Sequence, residues 1–288
     1  MSENTSYILR AMTSDGSARI TFCDLTDTVS HMAEIHSPSK TMTAVLGRVM
    51  CGASLIGSLL KNKEDSLTLR IDGDGPAGKI ICVSDYLGNV RICADHYGVE
   101  LPPNASGKLD VGGAVGRGTL YVIRDLGLAE PYIGSAALVS GEIAEDITNY
   151  FAASEQTPTV CALGVRADTE KRCIAAGGYL VQLLPGADEG IVPALERNMS
   201  SMESVSKLIK DGVSGEEIVA RVFDGIPFDL FDKFECGYVC SCSRERYLSA
   251  LRGLPRADID EMKADGQPIE ALCRFCGKKY SFSPDEIG

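Results

Sequence analysis

The sequences YVCSCSRER at residues 238–246 and CRFCGKKY at residues 273–280 place two close cysteine pairs near the carboxyl end. The spacer is one residue in the first pair and two residues in the second. Four thiolates from two separate segments form the soft ligand set that tetrahedral Zn²⁺ prefers, at about 2.3 Å per Zn–S bond. We therefore predict one zinc ion per chain in the reduced state, with these ligands: Cys240, Cys242, Cys273 and Cys276.

A zinc ion held by four protein ligands has no open position for water, so such a site is structural rather than hydrolytic. The cysteine-rich segment, residues 232–288, is too short to rely on an apolar core of its own. Structural zinc contributes an apparent folding free energy of about 10–16 kcal/mol in small peptides. We predict that residues 232–288 form a small zinc-binding domain that folds only when the metal is bound.

The residues around these sulfurs indicate that the site is sensitive to oxidants. Five basic residues lie in or next to the two cysteine segments: Arg244, Arg246, Arg274, Lys278 and Lys279. Cationic neighbours and zinc both hold cysteines as thiolates, the form that peroxide and hypochlorite attack. Oxidation would then expel the metal and make the domain a redox switch, although an inert structural zinc ribbon accounts equally well for the spacing alone.

The other cysteines need a separate interpretation, because a reducing cytosol disfavours structural disulfides. Cys236 stands close to the first pair, and Cys236 and Cys240 could also form a pair. We favour Cys240 with Cys242 and treat Cys236 as a nearby spare thiol. Free cysteines among apolar residues behave as small buried hydrophobes, and we assign that role to six of them: Cys23, Cys51, Cys82, Cys93, Cys161 and Cys173.

The overall charge argues against several functions. The chain has 28 Lys and Arg against 40 Asp and Glu, a formal net charge of −12. Because such a surface repels phosphate backbones, nucleic-acid binding would need a local basic patch, and no block of Lys and Arg is visible. Residues 1–6 carry no secretory signal, and residues 43–60 are too interrupted by polar residues and glycine to span a bilayer. We expect a cytoplasmic protein without a membrane segment.

Residues 1–184 predict an α+β core domain, because short β-rich runs follow one another without a helix between each pair. Glycine and aspartate separate these runs, which favours antiparallel sheets. Strands are predicted at residues 7–12, 18–22, 67–71, 79–84, 89–94, 119–124, 134–139, 160–165 and 179–184. Helices are predicted at residues 26–36, 41–60 and 141–154.

Residues 185–231 predict a helical linker between the core and the cysteine-rich domain. Two helices are predicted in it, at residues 191–209 and 215–223. The first carries an apolar stripe on one face: Ile191, Leu195, Met199, Met202, Val205, Leu208 and Ile209. Such a stripe usually packs in a core, and it can also be packed in one state of a protein and freed in another.

Two glycine-rich segments and the histidines do not indicate catalysis. GDGPAG at residues 73–78 matches the dinucleotide pattern G-x-G-x-x-G, but a β-branched run follows it instead of a helix. We interpret it as a connection between strands. Residues 112–118 lack the Lys-Ser/Thr ending of a phosphate-binding loop. The three histidines, His31, His36 and His96, are interpreted as surface or core residues, and no acid/base pair can be named.

The two cysteine segments, with residues 234–246, resemble the 33 kDa chaperonin family, the redox-regulated heat-shock holdases. Two core sequences agree with this resemblance: YFAASEQTPT at residues 150–159 and GGYLVQLLPGA at residues 177–187. The similarity runs from about Tyr7 to the carboxyl end in the order core, linker and cysteine-rich domain. Cys236 departs from the family pattern, which leaves open whether it competes for zinc or for disulfide pairing.

The resemblance implies a molecular chaperone for oxidative and heat stress rather than an enzyme. In family terms, the reduced, zinc-bound chain is a largely inactive monomer. Oxidants convert its thiolates into disulfides, by similarity Cys240–Cys242 and Cys273–Cys276, and zinc is lost. The cysteine-rich domain then unfolds, the linker loosens, and the exposed apolar surface binds unfolding proteins without ATP. The activated form is expected to be a homodimer.

Two other functions remain open on the sequence alone. A zinc-ribbon nucleic-acid-binding regulator is the first, although the chain from Phe231 onward carries nine basic and ten acidic residues. The second is a thiol oxidoreductase that uses Cys273 and Cys276. This pair lacks the βαβ setting of thioredoxin-like motifs, and a tight zinc site would mask both thiolates.

Overall fold

The computed structural model describes residues 5–168 and 173–287, and the chain divides into two compact units, Met1–Tyr238 and Val239–Gly288. We call them the first unit and the second unit. The first unit takes in residues 185–231, the predicted linker, together with the core. The boundary between the units follows Tyr238, whereas the predicted cysteine-rich domain begins at residue 232.

The first unit contains two antiparallel sheets and several helices. Its strands in chain order are β1 Tyr7–Thr13, β2 Ala18–Asp24, β3 Ser66–Gly73, β4 Lys79–Asp85, β5 Val90–Ala94, β6 Gly118–Asp125, β7 Tyr132–Ala137, β8 Thr159–Ala167, β9 Cys173–Leu183 and β10 Phe228–Glu235. Its α-helices are α1 Thr26–His36, α2 Lys40–Gly57, α3 Val111–Val115, α4 Ala144–Ser154, α5 Val192–Ser201, α6 Val205–Lys210 and α7 Gly215–Val222.

The strand order is β10-β1-β2-β9-β8 in the first sheet and β5-β4-β3-β6-β7 in the second. Every paired strand in these sheets runs antiparallel to its neighbour. The prediction of an α+β fold with antiparallel sheets is therefore confirmed. In the hairpin between β1 and β2, Gly16 has φ of +76°, a positive angle that glycine adopts at little steric cost in a tight turn.

Helix α2 packs against strands of both sheets, and nearly every one of its residues is buried. The Ser39 hydroxyl caps its first turn by accepting a hydrogen bond of 3.1 Å from the Met42 N–H. Small residues let the sheets approach the helix closely. A Cβ at Gly47 would collide with Val165 of β8, and one at Gly57 with Ser84 of β4. This close packing outweighs the roughly 1 kcal/mol that glycine costs inside a helix.

Helices α5, α6 and α7 cover the opposite face of the first sheet and share an apolar cluster with it. The single helix predicted at residues 191–209 is wrong, because the chain breaks at Met202, which is extended with ψ of 144°. The break redirects the chain so that Leu195 of α5 and Leu208 of α6 both enter the same cluster. The apolar stripe of the linker is therefore packed against the core in this state.

Two further segments, and the length of the helices, bear on the predictions made from the sequence. GDGPAG lies between β3 and β4, so its interpretation as a strand connection is confirmed. Strand β10, which was not predicted, pairs with β1 at the edge of the first sheet. Most of its side chains are exposed, so it lacks the alternating pattern that reveals a strand. Among the described helices, none combines the length and apolar character needed to cross a membrane.

Candidate metal centre

The second unit is built from short elements around one hairpin. These elements are α8 Arg244–Arg252, α9 Arg256–Asp265, β11 Ile269–Leu272, β12 Lys279–Phe282 and α10 Pro284–Ile287. Strands β11 and β12 pair antiparallel, with Leu272 opposite Lys279. The turn that joins them contains both members of the second cysteine pair.

Local hydrogen bonds fix each cysteine pair. In the turn, the Cys273 N–H donates to the Lys278 carbonyl and the Gly277 N–H donates to the Cys273 carbonyl, each over 2.9 Å. Gly277 has φ of +70°, which closes this turn at little steric cost. The first pair lies on a segment without regular structure that ends at Ser243, whose hydroxyl caps α8 by accepting from the Arg246 N–H.

The four predicted ligands come together. Cys240 Sγ lies 3.7 Å from Cys273 Sγ, and Cys242 Sγ lies 3.3 Å from Cys276 Sγ. All four sulfur atoms lie within 4.8 Å of one another. A tetrahedral zinc ion with Zn–S bonds of about 2.3 Å separates its sulfur ligands by about 3.8 Å. The donor atoms and their spacing therefore fit a zinc ion bound by four thiolates.

Two tyrosines stand beside the sulfurs, and sequence reasoning gave them no role. The Tyr280 hydroxyl lies 3.1 Å from Cys242 Sγ, and the ring of Tyr247 lies 5.1 Å from the ring of Tyr280. Hydrogen bonding to Cys242 raises the pKa of Tyr280 above its usual value. Burial and a hydrogen bond to Cys273 raise the pKa of Tyr247 to about 12. Both hydroxyls stay protonated near neutral pH and can donate to thiolates.

The thiols of the second pair have opposite acidities in the metal-free site. Burial alone would raise the pKa of Cys273, but the backbone N–H groups of Cys276 and Phe275 and the side chain of Tyr247 lower it to about 6. Burial and hydrogen bonds to the other thiols raise the pKa of Cys276 to about 12. Cys273 is therefore the more acidic thiol of this pair, and a bound cation would be needed to hold Cys276 as a thiolate near neutral pH.

The basic residues were expected to supply the positive charge around the sulfurs. The largest contributions that lower the pKa of Cys273 come instead from N–H and hydroxyl donors. Arg244 forms an ion pair of 2.7 Å with Glu286, and its guanidinium lies over the ring of Phe282. Arg246 donates to the carbonyl and hydroxyl oxygens of Ser241, 2.9 Å from each. These two arginines hold the segment that carries the cysteines.

Apolar burial in the second unit is small. Only three hydrophobic side chains form the buried part of its described cluster: Ile259, Phe282 and Ile287. Tyr247, Tyr280 and several aliphatic residues pack around them while remaining partly exposed. A cluster of this size stabilises a unit of this length weakly. The unit thus has the features of a domain whose folding depends on a bound metal.

Cys236 lies in the first unit, apart from the four clustered sulfurs. It is 8% exposed and belongs to the same buried cluster as Cys23 and Cys51. Burial raises the pKa of Cys236 to about 12. The six scattered cysteines are buried as predicted.

These placements lead to a labelling prediction for the zinc-stripped, reduced chain. At neutral pH iodoacetamide should modify the cysteines of the second unit at least about tenfold faster than the six scattered cysteines, because burial in the first unit shields those six thiols whereas the second unit unfolds without metal. Peptide mapping by mass spectrometry gives the rates, and the denatured chain, in which all eleven cysteines react, is the control. Labelling of Cys23 or Cys51 as fast as Cys240 would contradict this placement.

The turn around the second pair also bears on the oxidoreductase alternative. Thioredoxin-like redox pairs belong to a βαβ setting. Cys273 and Cys276 lie instead between two strands of a hairpin, with Lys279 beginning the second strand. The structure gives no support to a thioredoxin-like reaction at this pair.

Comparison with known proteins gives agreeing matches over nearly the whole chain. A family model described as Hsp33 protein matches residues 6–283. The 33 kDa chaperonin of Ruminiclostridium cellulolyticum is 43% identical over 281 residues, which cover 98% of this chain and 96% of the relative. The 33 kDa chaperonin of Clostridioides difficile is 42% identical, with 98% and 97% coverage. The crystal structure of the 33 kDa chaperonin of Thermotoga maritima superposes with a TM-score of 0.91 at 34% identity, covering 99% of this chain and 97% of that one.

Proposed function

The chain belongs to the Hsp33 protein family, a family of chaperones, and from this membership we propose that it is an ATP-independent holdase activated by oxidation. The observation that carries the proposal is the cluster of four sulfurs within 4.8 Å in a unit with little apolar core. In the reduced state the metal ligands are Cys240, Cys242, Cys273 and Cys276, with one zinc ion per chain. The chain works in the cytoplasm under oxidative and heat stress.

A bound zinc ion would hold the four sulfurs as thiolates and tie the two cysteine segments together. With four protein ligands the site has no position for a substrate or water, so we propose no catalytic reaction for it. The two tyrosines donate hydrogen bonds to the thiolates. Arg244 and Arg246 keep the first cysteine segment in place.

The switching step is the oxidation of both cysteine pairs. For each pair, two thiols and one molecule of hydrogen peroxide give one disulfide and two molecules of water, and the two electrons pass to the peroxide. We propose the pairs Cys240–Cys242 and Cys273–Cys276. Once joined in disulfides, these sulfurs no longer offer four thiolates, and the second unit loses its main source of stability. All four sulfurs lie within 4.8 Å of one another, so these disulfides can form once the turn after β11 and the segment before α8 move.

The client-binding surface in this proposal is the face of the first sheet beneath α5, α6 and α7. That face is apolar and buried, and it is formed by these residues of β1, β2 and β9: Leu9, Ala11, Ala18, Ile20, Phe22, Tyr179 and Val181. The covering helices are short and come from the linker. When they detach, the sheet exposes an apolar surface of the kind that binds unfolding proteins. The same exposure would favour a homodimer over the reduced monomer.

Residues 236–238 offer a route from the second unit to the first sheet, because they directly precede Val239. The Cys236 N–H donates to the Ser6 carbonyl over 3.0 Å, and the Val90 N–H donates to the Gly237 carbonyl over 2.9 Å. The Tyr238 hydroxyl bonds to the backbone of Ile92. These contacts fasten the end of β10 to both sheets. Unfolding of the next residues would loosen this end first, and β10 leads back to the linker.

Releasing α7 without oxidation should activate the chain. Ile218 of α7 is fully buried against the first sheet, so Ile218→Asp places a carboxylate in an apolar cluster and should detach the helix. We expect the reduced, zinc-loaded variant to suppress aggregation of a heated client, measured by light scattering. Ala220→Asp on the exposed side of α7 should behave like the parent chain. The proposed client-binding surface would be wrong if the amides of α7 exchange freely in the variant, the second sheet still exchanges slowly, and the heated client nevertheless aggregates.

The direct test of the proposed function measures bound zinc, free thiols and client aggregation on the same sample before and after peroxide at mildly raised temperature. Size-exclusion chromatography with light scattering gives the oligomeric state. The proposal requires that loss of zinc and thiols coincide with gain of client protection.

A further inference from the structure

Two adjoining cavities lie in the first unit just beyond the carboxyl end of α2. Their volumes are about 420 and 510 Å³, and both are lined by Arg19, Leu59, Leu60 and Lys61. The cavities lie on the side of the first sheet that faces α2. We call the combined space the arginine groove. It is separate from the clustered cysteines, all of which belong to the second unit.

Arg19 in this groove is positioned by a neutral side chain. Its Nε and Nη2 atoms donate to the Gln182 Oε1 over 3.1 and 2.7 Å. Gln182 is 2% exposed, and its own amide donates to the Thr159 hydroxyl over 3.1 Å. Among the described residues, no carboxylate forms an ion pair with Arg19. A buried amide therefore fixes the orientation of the guanidinium and leaves its charge uncompensated.

A second guanidinium lies on the same side of the sheet. Arg10 lines the second cavity, donates to the Ser58 carbonyl at the end of α2, and lies 3.7 Å from Asp232. Its buried Nε atom has no hydrogen-bond partner among the residues that the structure describes. Burial lowers the pKa of Arg19, and repulsion from Arg10 lowers it further. Two like charges close together and partly removed from water favour an anion between them.

The remaining charged side chains of the groove are the cations Lys61 and Arg124 and the carboxylates Asp65 and Glu155. Lys61 is exposed, Arg124 is already paired with Glu155, and Asp65 accepts hydrogen bonds from Asn62. Leu59 and Leu60 lie between the two cavities, and Phe231 lines one side of the second. With Arg10, Arg19 and Asp232 included, the groove has four cations against three carboxylates, on a chain with a net charge of −12. Its shape resembles small-molecule sites, in which a few fixed polar groups stand among apolar surfaces.

We propose that the arginine groove binds an amphiphilic anion, whose carboxylate or phosphate group pairs with Arg19 and Arg10 while its apolar body covers Leu59 and Leu60. The planar guanidinium of Arg19 matches the two oxygens of either headgroup. The proposal concerns the first unit alone and does not depend on the switch at the cysteines.

The test uses the full reduced, zinc-loaded chain and three probes with one alkyl chain length: decanoate, decyl phosphate and decanol. Isothermal titration calorimetry should detect binding of at least one anion, weakened by added salt and much stronger than that of decanol. Arg19→Gln should lower the affinity for the anion by about 10- to 100-fold. The exposed Arg117→Gln should change it less than twofold. The preferred anion identifies the headgroup.

The parent chain supplies a readout that does not depend on the folding of a variant. In ¹⁵N NMR spectra, the side-chain Nε–H signals of Arg10 and Arg19 should shift on addition of the anion and stay in place with decanol. Arg19→Lys, which keeps the charge, should retain more affinity than Arg19→Gln. Equal binding of decanol and the anions, unshifted arginine signals, or unchanged affinity in a folded Arg19→Gln chain would each overturn the proposal.

Discussion

Replacing Cys273 with serine is expected to abolish high-affinity zinc binding and to unfold the second unit while the first unit stays folded. A hydroxyl does not ionise at neutral pH and is a poor ligand for zinc, so the remaining three sulfurs bind less tightly. The loss should exceed the roughly 10- to 100-fold caused by removing a hydrogen-bonding partner of a metal ligand. The described apolar cluster of the second unit, with three fully buried side chains, cannot compensate for the about 10–16 kcal/mol that structural zinc contributes.

Competition with a chromophoric zinc chelator measures the affinity, and hydrogen exchange followed by mass spectrometry reports folding in each unit separately. The matched control is Cys236→Ala, which removes a neighbouring cysteine that lies in the first unit. It should bind one zinc ion per chain with unchanged affinity. A Cys273→Ser chain that keeps slow exchange throughout residues 244–282 without metal would show that apolar packing holds the second unit together.

The elements that could be predicted from sequence have strong local signals and bury one consistent face. Helix α1 occupies the predicted residues 26–36, and α2 begins within one residue of its predicted start, because Ser39 caps it. It ends three residues early, because the chain turns after Gly57 to enter the loop before β3. Strands β3 and β4 match because their sequences alternate between buried and exposed positions, whereas β7 begins two residues before its predicted start.

The elements that could not be predicted depend on contacts with distant parts of the chain. Strand β10 exists because β1 offers an unpaired edge, and its own sequence, FDLFDKFE, has no buried alternating face. The break at Met202 lets α5 and α6 both pack into the apolar cluster of the first sheet, whereas the apolar spacing continues through it. Tertiary packing overrides a local helical pattern in this case.

The metal site likewise has one part that the sequence predicted and another part that depends on distant contacts. The spacing of the cysteines alone predicted that these four would cluster, since thiolate pairs on two segments suit a tetrahedral ion. The roles of Tyr247 and Tyr280 depend on the twist of the β11–β12 hairpin and on the position of α8, which the sequence does not encode locally. Cys236 looked like a competitor because it is four positions from Cys240, but its backbone continues the pairing of β10 with β1 and carries its thiol into the core.

Oxidation of the zinc-loaded chain is expected to convert a protein that does not protect a heated client into one that does. Peroxide at mildly raised temperature should remove four free thiols and one zinc ion per chain, while the six scattered buried thiols remain. Hydrogen exchange should rise first in the second unit and residues 236–238, and then in α5, α6 and α7. We expect this order because the large buried cluster stabilises α2 and both sheets, so the elements outside that cluster open first.

Chelation of zinc under reducing conditions separates metal loss from disulfide formation. It removes the same stabilisation but leaves the thiols free, so client protection should appear and should disappear again when zinc is restored. After oxidation, protection should persist in added zinc until a reductant breaks the disulfides, because the sulfurs are then unable to act as four thiolate ligands. If either treatment releases the metal and unfolds the second unit without suppressing client aggregation, then unfolding at the sulfurs does not uncover the apolar face of the first sheet, and the coupling through β10 is wrong.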